Sequence, residues 1–336
     1  MATQTHDIFD TIIVGGGPVG LAAAIAAKQR GLRYLVLEKA ALVNSLLHYP
    51  TDMIFFTTPD LMEMGGLPFV SPHEKPTRQE ALKYYRRVAD TWTIDIHFDE
   101  PATSLAIEGP LFRVGSQPLG GAAVSRAART VIIASGAYDF PNRLGIPGED
   151  LPNVSHFYRE PHAHYRRRVV IVGGKNSAAE AALDLYRNGV AAVTLVHRHA
   201  ELGDSIKYWV KPDIENRIKE GSVAARFQTR VVEITPTHTI VDGPGGTEEL
   251  PSDFVYLLTG YRSDTTLLRS VGAAIDDAVG APALNEDTFE TTVPNLFVIG
   301  AAVAGKQSGK IFIENGRFHG EVAINAIVER VGQSRT

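Results

Sequence analysis

Ile12-Ile13-Val14-Gly15-Gly16-Gly17-Pro18-Val19-Gly20, running on as Leu21-Ala22-Ala23-Ala24-Ile25, decides the fold. It reads as a buried strand, a glycine turn and a helix of small residues. Gly15, Gly17 and Gly20 have the G-x-G-x-x-G spacing, and each glycine has a physical task. The first permits the tight turn, the second lets a pyrophosphate approach the backbone, and the third lets helix and strand close on each other. Free N–H groups and the positive end of the helix dipole then face the phosphates. Working outward, a second strand at residues 34–37 ends in Glu38, 18 residues beyond Gly20, where a carboxylate binds the hydroxyls of a ribose. Strand, turn, helix, strand and acid together predict a complete dinucleotide-binding unit rather than a stray glycine-rich turn.

Residues 39–58 follow, with Lys39, Asn44, Ser45 and His48 among turn formers and aromatics, and read as a loop wrapping a ligand. Residues 75–90 predict a surface helix packed on the sheet. Thr77 caps it with Glu80 three residues on, Ala81, Leu82, Tyr85, Val88 and Ala89 form the apolar face, and the arginines point outward. Short alternating runs at Ile94/Ile96/Phe98 and residues 111–114 predict an antiparallel appendage. A buried strand then ends in Ala134-Ser135-Gly136, small enough for a cofactor to lie against the backbone. Pro141 and residues 145–152 punctuate the chain as a domain crossover.

The second half begins by repeating the first. Val169-Val170-Ile171-Val172-Gly173-Gly174-Lys175-Asn176-Ser177-Ala178 is again strand, turn and helix, with Lys175 for the middle glycine and Ala178 for the last. The next strand, 192–196, ends in His197-Arg198 rather than an acid. An acid suits a free 2′-hydroxyl and an arginine suits a 2′-phosphate, so the first unit is expected to prefer a plain adenosine and the second NADPH. A bland reading leaves Arg198 as a solvated strand end. The later part of 204–221 reads as helix and 227–250 as paired strands around Gly243-Pro244-Gly245-Gly246. A strand at 254–258 leads through Thr259-Gly260-Tyr261 to the return crossover. The last strand, 295–299, runs to Gly300-Ala301, and a long helix from about Ile311 to Arg330 is expected to point its N-terminus at the first site. The fold class is therefore α/β with two Rossmann-like domains. Residues 141–258 are inserted between 1–140 and 259–336.

Composition narrows the function. The 336 residues exceed a single core, and 44% hydrophobic with 21% charged content is ordinary for a globular enzyme. A formal charge of −5 without a basic run argues against nucleic acid. The uncharged run 11–27 lacks a basic flank, follows Asp7 and Asp10 and is broken by glycines, so it is not read as a signal peptide. Nothing else is apolar enough to span a bilayer, and a cytoplasmic location is expected. The chain has no cysteine, which removes disulfides, thiolate metal sites and redox-active thiols. Its 11 histidines show no metal-ligand spacing, and no metal is expected. His156, His162 and His164 near the crossover are read as structural or solvated rather than as proton carriers, and no catalytic side chain is assigned.

The segments GGGPVGLAAAI (15–25), LEKAALVNSLLHYPT (37–51), IASGAYDFPN (133–142), GIPGEDLP (145–152), VIVGGKNSAAEAALDL (170–185), LTGYRSD (258–264) and IFIENGRFHG (311–320) resemble, nearly end to end, the low-molecular-weight thioredoxin reductases. Within that group the chain is similar to the bacillithiol-disulfide reductase family, GGKNS and the last two segments being the distinctive ones. The resemblance implies FAD in the outer, discontinuous domain, at Gly15, Gly17, Pro18, Val19, Gly20, Glu38, Lys39, Asn44, Ser45, His48, Ala134, Ser135, Gly136, Gly300, Ala301 and Ile311. It implies NADPH in the inserted domain, at Gly173, Gly174, Lys175, Asn176, Ser177, His197, Arg198, Gly260 and Tyr261. It also implies a homodimer or higher homo-oligomer.

Three departures matter. The thioredoxin-reductase dithiol would fall at His156-Phe157-Tyr158-Arg159, and the thiol of the bacillithiol-related family at Val19, so both places lack sulfur. Where many flavoproteins carry Gly-Asp, Gly300-Ala301 offers only backbone. Thiol–disulfide exchange needs an attacking thiolate. The resemblance therefore implies a flavoprotein in which hydride passes from NADPH to flavin and electrons leave directly for an acceptor, a small disulfide or another small molecule or redox protein. An alternative is a thioredoxin-reductase-like ferredoxin (or flavodoxin)–NADP reductase, which needs no cysteine. A reading of another class is a redox sensor that holds FAD without turnover.

Overall fold

A computed structural model describes residues 8–334, and the chain divides into two compact units. The first comprises Met1–His48, Thr57–Phe140 and Tyr261–Thr336; the second comprises Tyr49–Phe56 and Pro141–Gly260.

In the first unit, Phe9–Val14 pairs in parallel with Tyr34–Leu37 on one side and Val124–Ile133 on the other. Alternation sends Ile12 and Val14 to one face and Ile13 to the other, because successive strand side chains point oppositely. The Ile13 face is buried with Val36, Ile132 and Phe297 beneath the helices Pro18–Gln29 and His319–Ser334. The Ile12 face joins Leu35, Leu37, Val131 and Val298. Being covered on both faces, these strands read as unbroken apolar runs.

Val124–Ile133 serves two partners. Its first half pairs antiparallel with Leu111–Ser116, which in turn pairs antiparallel with Ala102–Glu108, and its last three residues pair in parallel with Leu296–Val298. The strand's burial changes accordingly, from alternating at its start to continuous at Val131–Ile133. Residues 94–98 do not belong to that appendage as expected. Thr93 and Asp99 both adopt left-handed backbone, which leaves Ile96–His97 to extend, in parallel with Tyr34–Leu37.

The helix expected at 75–90 spans Arg78–Thr91 and carries a reciprocal capping box between Thr77 and Glu80. Its buried side includes Tyr84 and, against expectation, Arg78, which donates to the carbonyls of Leu46 (2.9 Å) and Leu47 (2.7 Å). The expected continuous helix 311–330 is broken into Ile313–Gly316 and His319–Ser334. Gly316 is a poor helix former held against Ile311 and Val19, and Arg317 turns aside to bond the carbonyls of Asp60 (2.9 Å) and Glu63 (2.6 Å).

The second unit has a five-stranded parallel sheet in the order Ala224–Arg226, Ala192–Val196, Arg168–Val172, Phe254–Leu257, Val154–Ser155. Asn176–Arg187 packs its alanine-rich face, Ala178 to Leu185, on Ile171 and Leu195. Arg230–Ile234, His238–Gly243 and Gly246–Pro251 form an antiparallel sheet of their own. Tyr49–Phe56, read from sequence as part of a ligand loop, is held within this unit. Thr51 N–H bonds Arg159 O (2.9 Å), the buried Lys207 ammonium bonds Ile54 O (2.9 Å) and Glu180 Oε1 (2.5 Å), and Phe56 stacks on Trp209.

Candidate functional site

The first glycine loop is built from three distinct constraints. Gly15 has φ +114°, its N–H bonds Leu37 O (2.8 Å), and a side chain there would overlap the Ala134 carbonyl. A Cβ on Gly20 would overlap the Gly15 carbonyl oxygen, so this glycine lets the helix lie on the strand. Gly17, the helix N-cap, has ordinary dihedrals and nothing within 4 Å of its missing Cβ. No side chain caps this helix end and its first turn holds no acid, which leaves its N–H groups to a ligand.

Glu38, at the end of the second strand, is buried and turned to the loop. Its Oε2 accepts from Gly16 N–H (2.7 Å) and its Oε1 from Ala40 N–H (3.1 Å). Burial pushes its carboxyl above the usual range, and these two bonds and Lys39 partly counter that. Lys39 itself is paired with Asp139 at 2.6 Å.

Asn44 and Ser135 flank the loop. The neighbour of Asn44, Val43, donates to Gly16 O (3.1 Å), and Ser135 N lies beside Gly15. Asn44 Oδ1 and Ser135 Oγ are both buried without a hydrogen-bond partner. So is Thr57 Oγ1, in a residue that sequence reading did not single out because a lone threonine in a loop carries no spacing signal. Each such atom costs about 1–3 kcal/mol while it stays unsatisfied. An open cradle at Gly17, a ribose-type acid and orphaned polar atoms fit the pyrophosphate, ribose and ring of a dinucleotide such as FAD.

The remaining expected residues of this site divide. Pro18 occupies the first helical position. Val19 lies against Gly300 and Gly316, and Ile311 against Gly316. Gly136 (φ +70°) and Gly300 (φ +68°) both use left-handed backbone, and Ala301 O accepts from Ser263. Ser45 is half-buried in the Asn44–His48 helix. His48 is exposed, its Nδ1 set against Asn44 O (2.9 Å) and its carbonyl accepting from Tyr138.

In the second unit the loop departs from the first as its sequence does. Gly173 is needed because a Cβ would press on Leu258 O and Ala178, and Gly174 because one would overlap the His197 ring. Lys175 is the N-cap of the Asn176–Arg187 helix and is exposed, with no acid in the first turn. Ser177 is exposed. The Asn176 side chain is committed to the adjacent loop, bonding Ser205 O (2.9 Å) and Lys207 N (2.8 Å). Arg198 is exposed and touches His199 through Nε (3.2 Å). Burial, and then the positive neighbours His199 and Arg198, hold the His197 ring below the usual histidine range. The helix end, Lys175 and Arg198 all bring positive charge to this half of the chain. Gly260 (φ +90°) bonds Asn142, and Tyr261 groups with the first unit, packing against Tyr138.

The tetrapeptide at the thioredoxin-reductase dithiol position does structural work. Tyr158 is buried, donates to Asp184 (2.5 Å) and meets Tyr256 edge-on, while His156 faces Glu149. His164 is buried between Phe254 and Tyr256 and shares a 2.6 Å bond with the Tyr256 hydroxyl. Among the described residues, no cluster of His, Asp and Glu could hold a metal, and no helix is long and apolar enough to cross a membrane.

Two Rossmann-like units, one ending in an acid and one in a base, define a thioredoxin-reductase-like α/β oxidoreductase. Residues 12–300 match the pyridine nucleotide-disulphide oxidoreductases, and the chain belongs to that family. It is 40% identical over 316 residues to the bacilliredoxin reductase Bdr of Bacillus subtilis (strain 168), covering 92% of this chain and 94% of that one. Its structure is similar to bacillithiol disulfide reductase Bdr (YpdA) from Bacillus cereus, with a TM-score of 0.94 and 37% identity over 96% of this chain and 100% of that one. A ferredoxin–NADP reductase of Ignicoccus hospitalis is 26% identical over 298 residues, 87% of this chain and 89% of its own. The family is one of FAD- and NAD(P)-dependent oxidoreductases, and the chain is an oxidoreductase without a thiol.

Proposed function

We propose that the chain is an NADPH-dependent FAD oxidoreductase whose electrons leave without passing through a protein thiol. The observation that carries this reading is the first glycine loop, with Gly17 open and Glu38 hydrogen-bonded to Gly16. In the proposal FAD is held by Met1–His48, Thr57–Phe140 and Tyr261–Thr336, and NADPH by Pro141–Gly260. What the bound flavin supplies is acceptance of hydride from NADPH and delivery of electrons to an acceptor. The chain's own residues bind and orient. The helix end at Gly17 takes the pyrophosphate, Glu38 the ribose, and Asn44 and Ser135 offer hydrogen bonds to polar atoms of the cofactor. Lys175 and Arg198 take the phosphates of NADPH, which selects it over NADH.

A small-molecule disulfide is one acceptor the relatives suggest. The missing thiols favour a second reading, a ferredoxin–NADP type of reductase, since single electrons can leave a flavin directly. Proposed with it are a homodimer, which the family likeness implies, and a cytoplasmic location. Anaerobic reduction by NADPH, followed by reoxidation with bacillithiol disulfide, quinones and ferredoxin in parallel, separates these readings. Enzyme-limited reoxidation by one class names the acceptor. NADPH consumption no faster than with free flavin under every condition would leave the chain a sensor and sink the enzymatic proposal.

A further inference from the structure

We propose that His319 is a positioning residue, whose neutral imidazole holds the Gly300 turn in place and thereby makes FAD retention depend on pH. The inference rests on the assignment of FAD to the first unit. Gly300 follows the strand Leu296–Val298, which is anchored through the bond from Ile299 N–H to Ile133 O (2.9 Å). The turn residue has φ +68° and lies against Val19 of the glycine loop, so its backbone belongs to the candidate FAD site. Many flavoproteins have an aspartate next in sequence, but this chain has Ala301 and only main chain to offer.

What fixes that main chain is His319. Gly300 N–H donates to its Nδ1 at 3.3 Å, and its ring lies flat on Phe289, with centroids 4.1 Å apart and planes 17° apart. The ring sits at the start of the His319–Ser334 helix, and the next residue, Gly320, lets that helix close on Ala23 of the Pro18–Gln29 helix. Stack and helix contact leave the imidazole little freedom to turn away.

An Nδ1 that accepts requires the proton on Nε2. A protonated imidazole donates from both nitrogens and would set N–H against N–H at Gly300. Burial alone holds the ring's pKa below the usual histidine range. Charged groups on the surrounding elements add nothing to that shift, and most are engaged elsewhere. Glu321 on its own helix pairs with Arg30, and Arg330 with Glu290 beside Phe289. Lys28 on the facing helix bonds Trp92 O, Arg317 bonds Asp60 O and Glu63 O, and Lys306 bonds Ala278 O. Glu314 and Lys310 on the adjoining segments do not contribute to the shift. The sign follows from the lowered value. The bond is intact above the unfolded-state value of 6.5 and is lost as pH falls below it and through the folded value.

The test compares flavin-loaded wild type with His319→Asn and His319→Phe, measuring the FAD dissociation constant by fluorescence between pH 8 and pH 5. Asparagine offers an acceptor that does not titrate in this range, and phenylalanine keeps the stack without an acceptor. Wild type should bind FAD progressively more weakly toward the acid end, by up to about tenfold once the ring is protonated, the loss of one hydrogen bond. Wild type with no acid-side loss would overturn the inference. His319→Asn should match wild type at pH 8 and lose this slope, and His319→Phe should be about tenfold weaker at pH 8 with no slope. An acid-side loss in His319→Asn equal to that of wild type would assign the titration to another group and overturn the inference. That comparison stands even if His319→Phe fails to fold. Wild type that binds no FAD at pH 8 would instead overturn the FAD assignment, and this inference with it.

Discussion

Gly17 and Gly20 sit three positions apart in one loop, and the structure gives them opposite work. Gly20 is a packing glycine, because any side chain there strikes the Gly15 carbonyl. Gly20→Ala should destabilise the protein by about 1–3 kcal/mol or prevent folding, as overpacking does. Gly17 has room and an ordinary φ of −73°. Gly17→Val should therefore melt within about 1 kcal/mol of wild type, the scale of an N-cap change, yet be purified without the yellow colour of FAD. Thermal melting and visible absorbance distinguish the two, and full flavin content in Gly17→Val would mean that the pyrophosphate lies elsewhere. A second residue-scale prediction concerns Arg198, exposed and in contact with His199. A charge-assisted contact is worth about 1.5–3 kcal/mol, or about ten- to a hundredfold in affinity. Arg198→Ala should raise the apparent NADPH constant by that order and leave NADH nearly unchanged. Equal effects on both would make Arg198 a surface residue.

Among the elements, the Arg78–Thr91 helix shows what a buried arginine can do for its neighbours. Its guanidinium takes the carbonyls of Leu46 and Leu47 in the short helix Asn44–His48, and so holds the element that carries Asn44. Arg78→Met keeps the volume but removes both bonds. It should cost about 1.5–3 kcal/mol, read as a lower unfolding midpoint, with weaker FAD binding because Asn44 is no longer fixed. A midpoint and FAD affinity both equal to wild type would mean that water replaces the guanidinium. This helix also shows where sequence reading stops. Its start was legible because the Thr77–Glu80 box is a local exchange, three residues apart. The inward turn of Arg78 and the burial of Tyr84 depend on carbonyls about 17–32 positions distant, which no periodicity encodes. The same limit explains the break after Gly316, where one glycine in an apolar run is locally tolerable and the packing against Val19 decides. Glu38 was found because strand length and motif spacing place it. His319 was missed because it matters through one long-range atom, the Gly300 N–H, and Thr57 because a lone buried hydroxyl in a loop has no spacing signal.

For the chain as a whole, the absence of any cysteine sets the mechanism apart from thiol relays. Alkylating reagents attack thiolates. Treating the NADPH-reduced protein with one should leave its activity toward a non-thiol acceptor intact, and reduction should give no thiolate-to-flavin charge-transfer absorption. The surroundings of Val19 make a gain-of-function experiment possible. Its side chain fits between Gly300 and Gly316, where a Cβ on either glycine would stand 3.2 Å from it, so the smaller Val19→Cys replacement introduces no clash. The new thiol would stand in the first turn of the Pro18–Gln29 helix, whose positive end lowers thiol pKa values. Val19→Cys should therefore gain both sensitivity to alkylation and the charge-transfer absorption that wild type lacks. Its rate with bacillithiol disulfide should exceed that of wild type. The measurement that decides is wild-type turnover with the same disulfide without oxygen. A wild-type rate equal to that of Val19→Cys would show that a flavin in this setting reduces disulfides without an intervening sulfur, and the missing thiols would no longer favour a ferredoxin-type acceptor.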